Sequence, residues 1–107
     1  MVYDLSQIAE YVRPIAEKYS IPAVYVFGSY ATNTASENSD IDFLIDRKGS
    51  KVKNLFDLSG LCMDIENTLG KSVDVMTVQQ LETDRAKERI PHMVEAIGRE
   101  RVQIYGQ

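Results

Sequence analysis

The sequence has few of the residues that mark secreted or membrane proteins. Among its 107 residues there is one cysteine, Cys62, which cannot form an internal disulfide, so we expect packing to stabilise the fold in a reducing cytoplasm. The longest apolar run, Ala23 to Phe27, is far shorter than the roughly 20 residues that span a bilayer. The first residues lack the basic-then-apolar order of a secretory signal. We therefore expect no contact with a membrane.

An excess of positive charge is also missing. The chain has 12 basic and 16 acidic residues and a net charge of −4, which argues against direct nucleic-acid binding. With 44% hydrophobic and 26% charged residues, the composition is that of a folded chain, and the length predicts one domain over residues 1–107. An enzyme of this size can enclose one substrate or cofactor but has little surface left for a second.

The hydrophobic spacing alternates between the period of a helix and that of a strand. This alternation predicts an α/β or α+β domain, in which helices cover a sheet. Asp4 with Gln7, and Thr77 with Gln80, are expected capping pairs, and Gly70 is an expected helix C-cap. The predicted helices span residues 4–19, 30–35, 55–69 and 84–97, and Pro91 is expected to start the second half of the last one. The predicted strands span residues 24–27, 40–46, 72–76 and 102–105.

Three aspartates interrupt strands that are otherwise apolar. Asp40 and Asp42 point the same way along one strand, about 7 Å apart at Cα, and Asp74 lies in the next strand. If those strands are neighbours, three carboxylates converge, and only a cation relieves their repulsion. Oxygen ligands without His or Cys favour Mg²⁺ or Mn²⁺. Taken singly, each cluster fits a strand edge or a surface turn better, but two such interruptions suggest one shared cause.

The first strand ends in Gly28-Ser29, followed by a short segment of helical character. Glycine allows the backbone to approach a phosphate closely, and the Ser29 hydroxyl can add a hydrogen bond to it. On its own this is an ordinary turn between a strand and a helix. It gains meaning from the acidic pair that follows eleven residues later (40 − 29 = 11).

Together these motifs resemble the DNA polymerase β-type nucleotidyltransferases. Gly28-Ser29 and the segment Ser39-Asp40-Ile41-Asp42-Phe43 match the G-S…S-D-I-D-[LF] pattern of that superfamily. Nearly the whole chain is similar to the minimal nucleotidyltransferases, stand-alone domains that are often paired with HEPN ribonuclease toxins. The resemblance implies a small mixed sheet flanked by helices, with the polymerase β-like nucleotidyltransferase fold.

The resemblance also implies an activity and a set of site residues. Asp40, Asp42 and Asp74 would be catalytic and hold two Mg²⁺ ions, and Gly28 and Ser29 would bind the triphosphate of ATP. Three carboxylates and a triphosphate sum to a charge of about −7, which two Mg²⁺ reduce to about −3. AMP would pass to a hydroxyl, typically of tyrosine, on a partner HEPN toxin, and the chain would act as its antitoxin in a hetero-oligomer.

One segment departs from the pattern of that family. Many members continue Gly-Ser with Ala-Arg-Gly, whereas this chain has Thr32 at the arginine position and Asn33 at the glycine position. Asn tolerates left-handed backbone angles, so the turn can survive. The missing arginine and the small size leave open an antitoxin that neutralises its partner by binding alone. A metal-dependent glycosyltransferase using Asp40 and Asp42 is a third possibility, although such enzymes generally need a larger domain.

Overall fold

The computed structural model describes residues 2–106, and in that part of the chain a four-stranded mixed sheet is flanked by five helices. The strands are β1 (Ala23–Phe27), β2 (Ile41–Asp46), β3 (Val73–Thr77) and β4 (Val102–Gly106). The helices are α1 (Leu5–Lys18), α2 (Leu55–Leu69), α3 (Val78–Leu81), α4 (Asp84–Arg89) and α5 (Pro91–Glu100). The expected architecture is therefore confirmed.

The sheet has the order β3-β2-β1-β4. β2 and β3 run parallel, joined by α2, and β1 is antiparallel to both β2 and β4. The parallel pair places the N-terminal ends of β2 and β3 side by side. The predicted sites at Asp42 and Asp74 therefore lie at the same end of the sheet.

The helix ends follow the signals in the sequence. The side chains of Asp4 and Thr77 each accept a hydrogen bond from the backbone N–H three residues later, as predicted. In return, their own backbone N–H groups donate to the side chains of Gln7 and Gln80. Gly70 ends α2 in the left-handed conformation, with φ of 67°. The expected helical stretch over 84–97 is divided into α4 and α5, and Pro91 starts the second helix as predicted, because it lacks an N–H and Ile90 before it leaves the helical region.

The two faces of the sheet are covered to different extents. Ile41, Phe43 and Ile45 are fully buried on the face that packs against α1 and α2. On the opposite face, Leu44 packs with Ile97 of α5. Tyr25 and Phe27 of β1 and Met76 of β3 pack against them on this face. Asp42 shares this second face, one position from the start of β2. The site is thus on the face covered by the shorter C-terminal helices.

The short helix expected at residues 30–35 is wrong. A 3₁₀ turn, Gly28–Tyr30, follows β1, and residues 31–33 form a turn. The hydroxyl of Thr32 donates to the Gly28 carbonyl (3.2 Å), and the Thr34 N–H donates to the Ser29 carbonyl (2.9 Å). These hydrogen bonds close the turn on itself, so that a helix does not propagate.

Candidate active site

The centre of the site is a pair of aspartates on neighbouring strands. Asp42 and Asp74 are direct partners in the parallel pairing of β2 and β3. Adjacent strands are about 4.8 Å apart, so two carboxylates at this register lie close together and their charges repel. Asp42 is half-buried and Asp74 is exposed. The condition stated from the sequence, that the second and third strands be neighbours, is met.

The surroundings of Asp42 disfavour its ionised form. Partial burial, the charge of Asp74, a hydrogen bond with that side chain and the charge of Asp40 together raise the pKa of Asp42 to about 6. Desolvation is the largest cause, because the carboxylate loses water when β2 packs between its neighbours. A cation bound here would replace the lost water and cancel the repulsion. A carboxyl in this state is suited to holding a metal ion or accepting a proton.

Gly28 is positioned against the Asp42 carboxylate. Its φ of +72° lies in the region that favours glycine, and a Cβ at this position would collide with the Oδ2 atom of Asp42. The backbone of the turn can therefore approach the acidic pair with no side chain between them. This is the close approach that a phosphate between the turn and a metal ion requires.

The turn after β1 continues this arrangement. Ser29 is half-buried, and its carbonyl receives hydrogen bonds from the residues that follow. Asn33 has φ of +61°, so the expectation that asparagine would preserve the turn at the glycine position is confirmed. Thr32, at the arginine position of the resemblance, closes the turn through its hydroxyl and supplies no charge.

Asp40 lies immediately before β2 and is exposed. It is near enough for its charge to contribute to the raised pKa of Asp42. Within residues 2–106, however, no three acidic, histidine or cysteine side chains are gathered into a ready metal-ion site. The structure thus brings Asp42 and Asp74 together, and the role of Asp40 as a third ligand stays a prediction.

Two residues that the sequence gave no reason to select tie this end of the sheet together. Glu66 of α2 accepts a hydrogen bond from the Val73 N–H (3.2 Å), one residue before Asp74. The Lys71 ammonium donates to the Glu37 carbonyl (2.9 Å) in the loop before Asp40. These contacts join segments far apart in the sequence, so only the folded structure reveals them.

Two other chemically active side chains lie outside the candidate site. His92 is exposed on α5. Cys62 packs beside the core, and burial together with the charges of Glu66 and Asp74 raises the pKa of its thiol, which favours the unreactive form.

In the described part of the chain, no helix combines the length and the apolar character that a membrane span needs.

Comparisons with known proteins agree with the geometry. The model of the family described as "Nucleotidyltransferase domain" matches residues 5–96. A Methanocaldococcus jannaschii protein, whose name assigns it protein adenylyltransferase activity by inference, is 37% identical over 78 residues, covering 73% of this chain and 82% of that protein. The range matched by the family model contains the turn after β1 and the two aspartates.

Two solved structures share the fold at low sequence identity. A toxin–antitoxin complex with AMP-PNP matches with a TM-score of 0.71 and 17% identity, over 92% of this chain and 73% of the matched one. A complex of a tri-AMPylated Shewanella oneidensis HEPN toxin with an MNT antitoxin matches with a TM-score of 0.58 and 16% identity, over 96% and 70% of the two chains. At these identities the likeness concerns the fold.

Proposed function

Because this chain belongs to the nucleotidyltransferase domain family, we propose that it transfers AMP from ATP to a hydroxyl of a partner protein. The observation that carries the proposal is the Asp42–Asp74 pair beside Gly28. A glycine turn against two carboxylates on adjacent strands provides places for a phosphate chain and for the cation that neutralises it.

The relatives suggest the nucleotide and the acceptor. One matched complex contains the ATP analogue AMP-PNP, and another contains an AMPylated HEPN toxin together with its antitoxin. We propose ATP as the AMP donor and a HEPN-type toxin as the partner of this chain, with tyrosine as the acceptor residue. The transfer would make the chain the antitoxin of the pair, in the cytoplasm.

Different residues of the chain would carry out different parts of the reaction. The backbone of Gly28 and the hydroxyl of Ser29 would bind the β- and γ-phosphates and orient the leaving pyrophosphate. The exposed Asp74 would lie beside the acceptor hydroxyl and accept its proton as the new bond from that oxygen to the α-phosphorus forms. The bond from the α-phosphorus to the bridging oxygen breaks, and pyrophosphate leaves.

The carboxylates fit Mg²⁺ in their chemistry. Asp42 and Asp74, with Asp40 from the adjacent loop, offer only oxygen ligands. Burial is the first cause of the raised pKa of Asp42, and the charges of Asp74 and Asp40 add to it, so a bound cation would stabilise the ionised form. When bound, two Mg²⁺ ions would lower the pKa of the attacking hydroxyl and stabilise the charge on pyrophosphate. Asp42 faces both the glycine turn and Asp74, so we expect it to matter most.

The test is AMP transfer from labelled ATP to the co-expressed partner, followed by gel and mass spectrometry. Asp42→Asn should reduce transfer by at least about 100-fold, because the amide carries no charge to hold the cation. Asp46→Asn is the matched control, since Asp46 lies on the same face at the other end of β2. It should transfer AMP at the rate of the unmodified protein. Undiminished transfer by Asp42→Asn would refute the proposal.

A second candidate is an antitoxin that acts by binding alone. It is favoured by the turn after β1, in which Thr32 contributes no positive charge to a nucleotide. On this view the aspartates are dispensable for protection of the cell. The two candidates differ in whether the partner carries AMP after co-expression.

A further inference from the structure

The proposed site has an uncompensated negative charge. Two Mg²⁺ leave a charge of about −3 on three aspartates and a bound triphosphate. The segment from Gly28 through Ser39, which follows β1 and leads to Asp40, contains no lysine or arginine. A nucleotide bound there would therefore gain from a cation supplied by another part of the fold.

A single row of residues crosses the sheet at the level of the aspartates. Asp74 pairs with Asp42, and Asp42 pairs with Phe27 of β1. On the far side, β1 pairs with β4 through Val26 and Val102. Continuing this antiparallel register by one residue sets Arg101 opposite Phe27. With strands about 4.8 Å apart, Arg101 lies two strands from Asp42, or about 10 Å at Cα.

The side chain of Arg101 lies on the same face as the aspartates. Its guanidinium carbon is 4.8 Å from the centre of the Tyr25 ring. Tyr25 and Phe27 pack with Leu44, and Leu44 alternates onto the face of Asp42. The ring thus holds an exposed cation above the sheet, on the side where the nucleotide would bind.

We infer that Arg101 binds the triphosphate of the nucleotide, on the side remote from Asp74. This inference rests on the proposed function and adds a phosphate-binding residue to it. A triphosphate held by Gly28 and Ser29 at the end of β1 would lie over Phe27, between the acidic pair and Arg101. The planar guanidinium can leave the Tyr25 ring and donate two hydrogen bonds to phosphate oxygens.

Arg101→Gln tests the inference, because glutamine keeps a long side chain for packing on Tyr25 but removes the charge. Binding of Mg²⁺–ATP and of inorganic tripolyphosphate is measured by calorimetry on the full chain. We expect both affinities to fall about tenfold, as for loss of one charged hydrogen-bonding group. Arg101→Lys should recover part of the loss. Arg13→Ala, an exposed arginine on α1 at the opposite face of the sheet, is the control and should bind like the unmodified chain.

Each result has a distinct meaning. Unchanged affinity in Arg101→Gln, or an equal loss in Arg13→Ala, would overturn the role of Arg101 while leaving the proposed function in place. A loss for ATP without a loss for tripolyphosphate would also overturn it, because the contact would then be to the nucleoside. If the unmodified chain bound neither probe, the proposed function would fail and this inference with it. Thermal unfolding of each variant shows whether its fold is intact.

Discussion

At the scale of single residues, Asp42 is the centre of the candidate site, between the turn at Gly28 and the paired Asp74. Its identity and its position were predicted from the alternation along β2, because a strand turns every second side chain to one face. Its raised pKa was not predictable, since it depends on burial and on the side chain of Asp74 across the strand pair. The sequence places those two aspartates 32 positions apart (74 − 42 = 32), and only the sheet makes them neighbours.

The raised pKa of Asp42 predicts a pH-dependent stability in the metal-free protein. The pKa rises from its usual 3.8 to about 6 on folding, so between pH 4 and 6 the folded state binds more protons than the unfolded state. The free energy of unfolding should therefore fall as the pH rises through this window. Asp42→Asn removes this loss and should be more stable than the unmodified protein at pH 7, by about 1 kcal/mol after solvent screening is allowed for.

Urea denaturation in EDTA at pH 4 and pH 7 measures this difference. The stability gap between Asp42→Asn and the unmodified chain should widen from the lower to the higher pH. An equal stability gap at both pH values would show that folding does not raise the pKa of Asp42. Added Mg²⁺ should reverse the ranking at pH 7, because the ion stabilises only the chain with the intact carboxylate.

At the scale of elements, the 3₁₀ turn after β1 is the segment that sequence patterns described least well. The spacing of residues 30–35 suggested a helix, yet the hydroxyls of Thr32 and Thr34 donate to backbone carbonyls four and five residues earlier, respectively. Side chains that compete for backbone partners in this way are invisible to hydrophobic periodicity. By contrast, α1 and α2 were predicted within about one residue, because their caps and buried stripes are local.

Gly28 in this turn has a matched control in Gly49, which lies in the loop after β2. Gly28 and Gly49 have nearly the same φ, +72° and +73°, but a Cβ meets Asp42 at the first and nothing within 4 Å at the second. Alanine at either position should cost about 1 kcal/mol of backbone strain. Gly28→Ala should in addition displace the Asp42 carboxylate and lower AMP transfer by about 100-fold.

Steady-state AMP transfer and urea denaturation of both alanine variants separate the two effects. Gly49→Ala should keep its rate of transfer and lose only stability. Equal rates of transfer in the two variants would mean that the close approach of the turn to Asp42 has no part in catalysis.

At the scale of the whole molecule, the proposed reaction needs a second protein that supplies the acceptor hydroxyl. The acidic pair and the glycine turn lie at an open end of the sheet, and α4 and α5 flank it on one face. The small size led us to expect that the acceptor arrives as a separate protein. In the described residues, α1 and α2 cover one face of the sheet, and α3 and α5 pack on the other.

A cell-based assay distinguishes transfer from binding alone. A variant with Asp40, Asp42 and Asp74 all changed to Asn should lose protection against the co-expressed partner, because it can no longer attach AMP. Co-purification shows whether that variant still binds the partner. Full protection, with no AMP on the partner by mass spectrometry, would instead support the binding-only antitoxin.

The sequence by itself determined the fold class, most element boundaries and the identity of the candidate site residues. Those features depend on local spacing, capping side chains and short motifs, which act within one or two turns of the chain. Only the tertiary structure decided that Asp74 pairs with Asp42, that a side chain at Gly28 would collide with the Asp42 carboxylate and that Arg101 shares their face. These contacts depend on strand order and register. Strand order and register are set by the packing of segments far apart in the sequence, which local sequence patterns do not reveal.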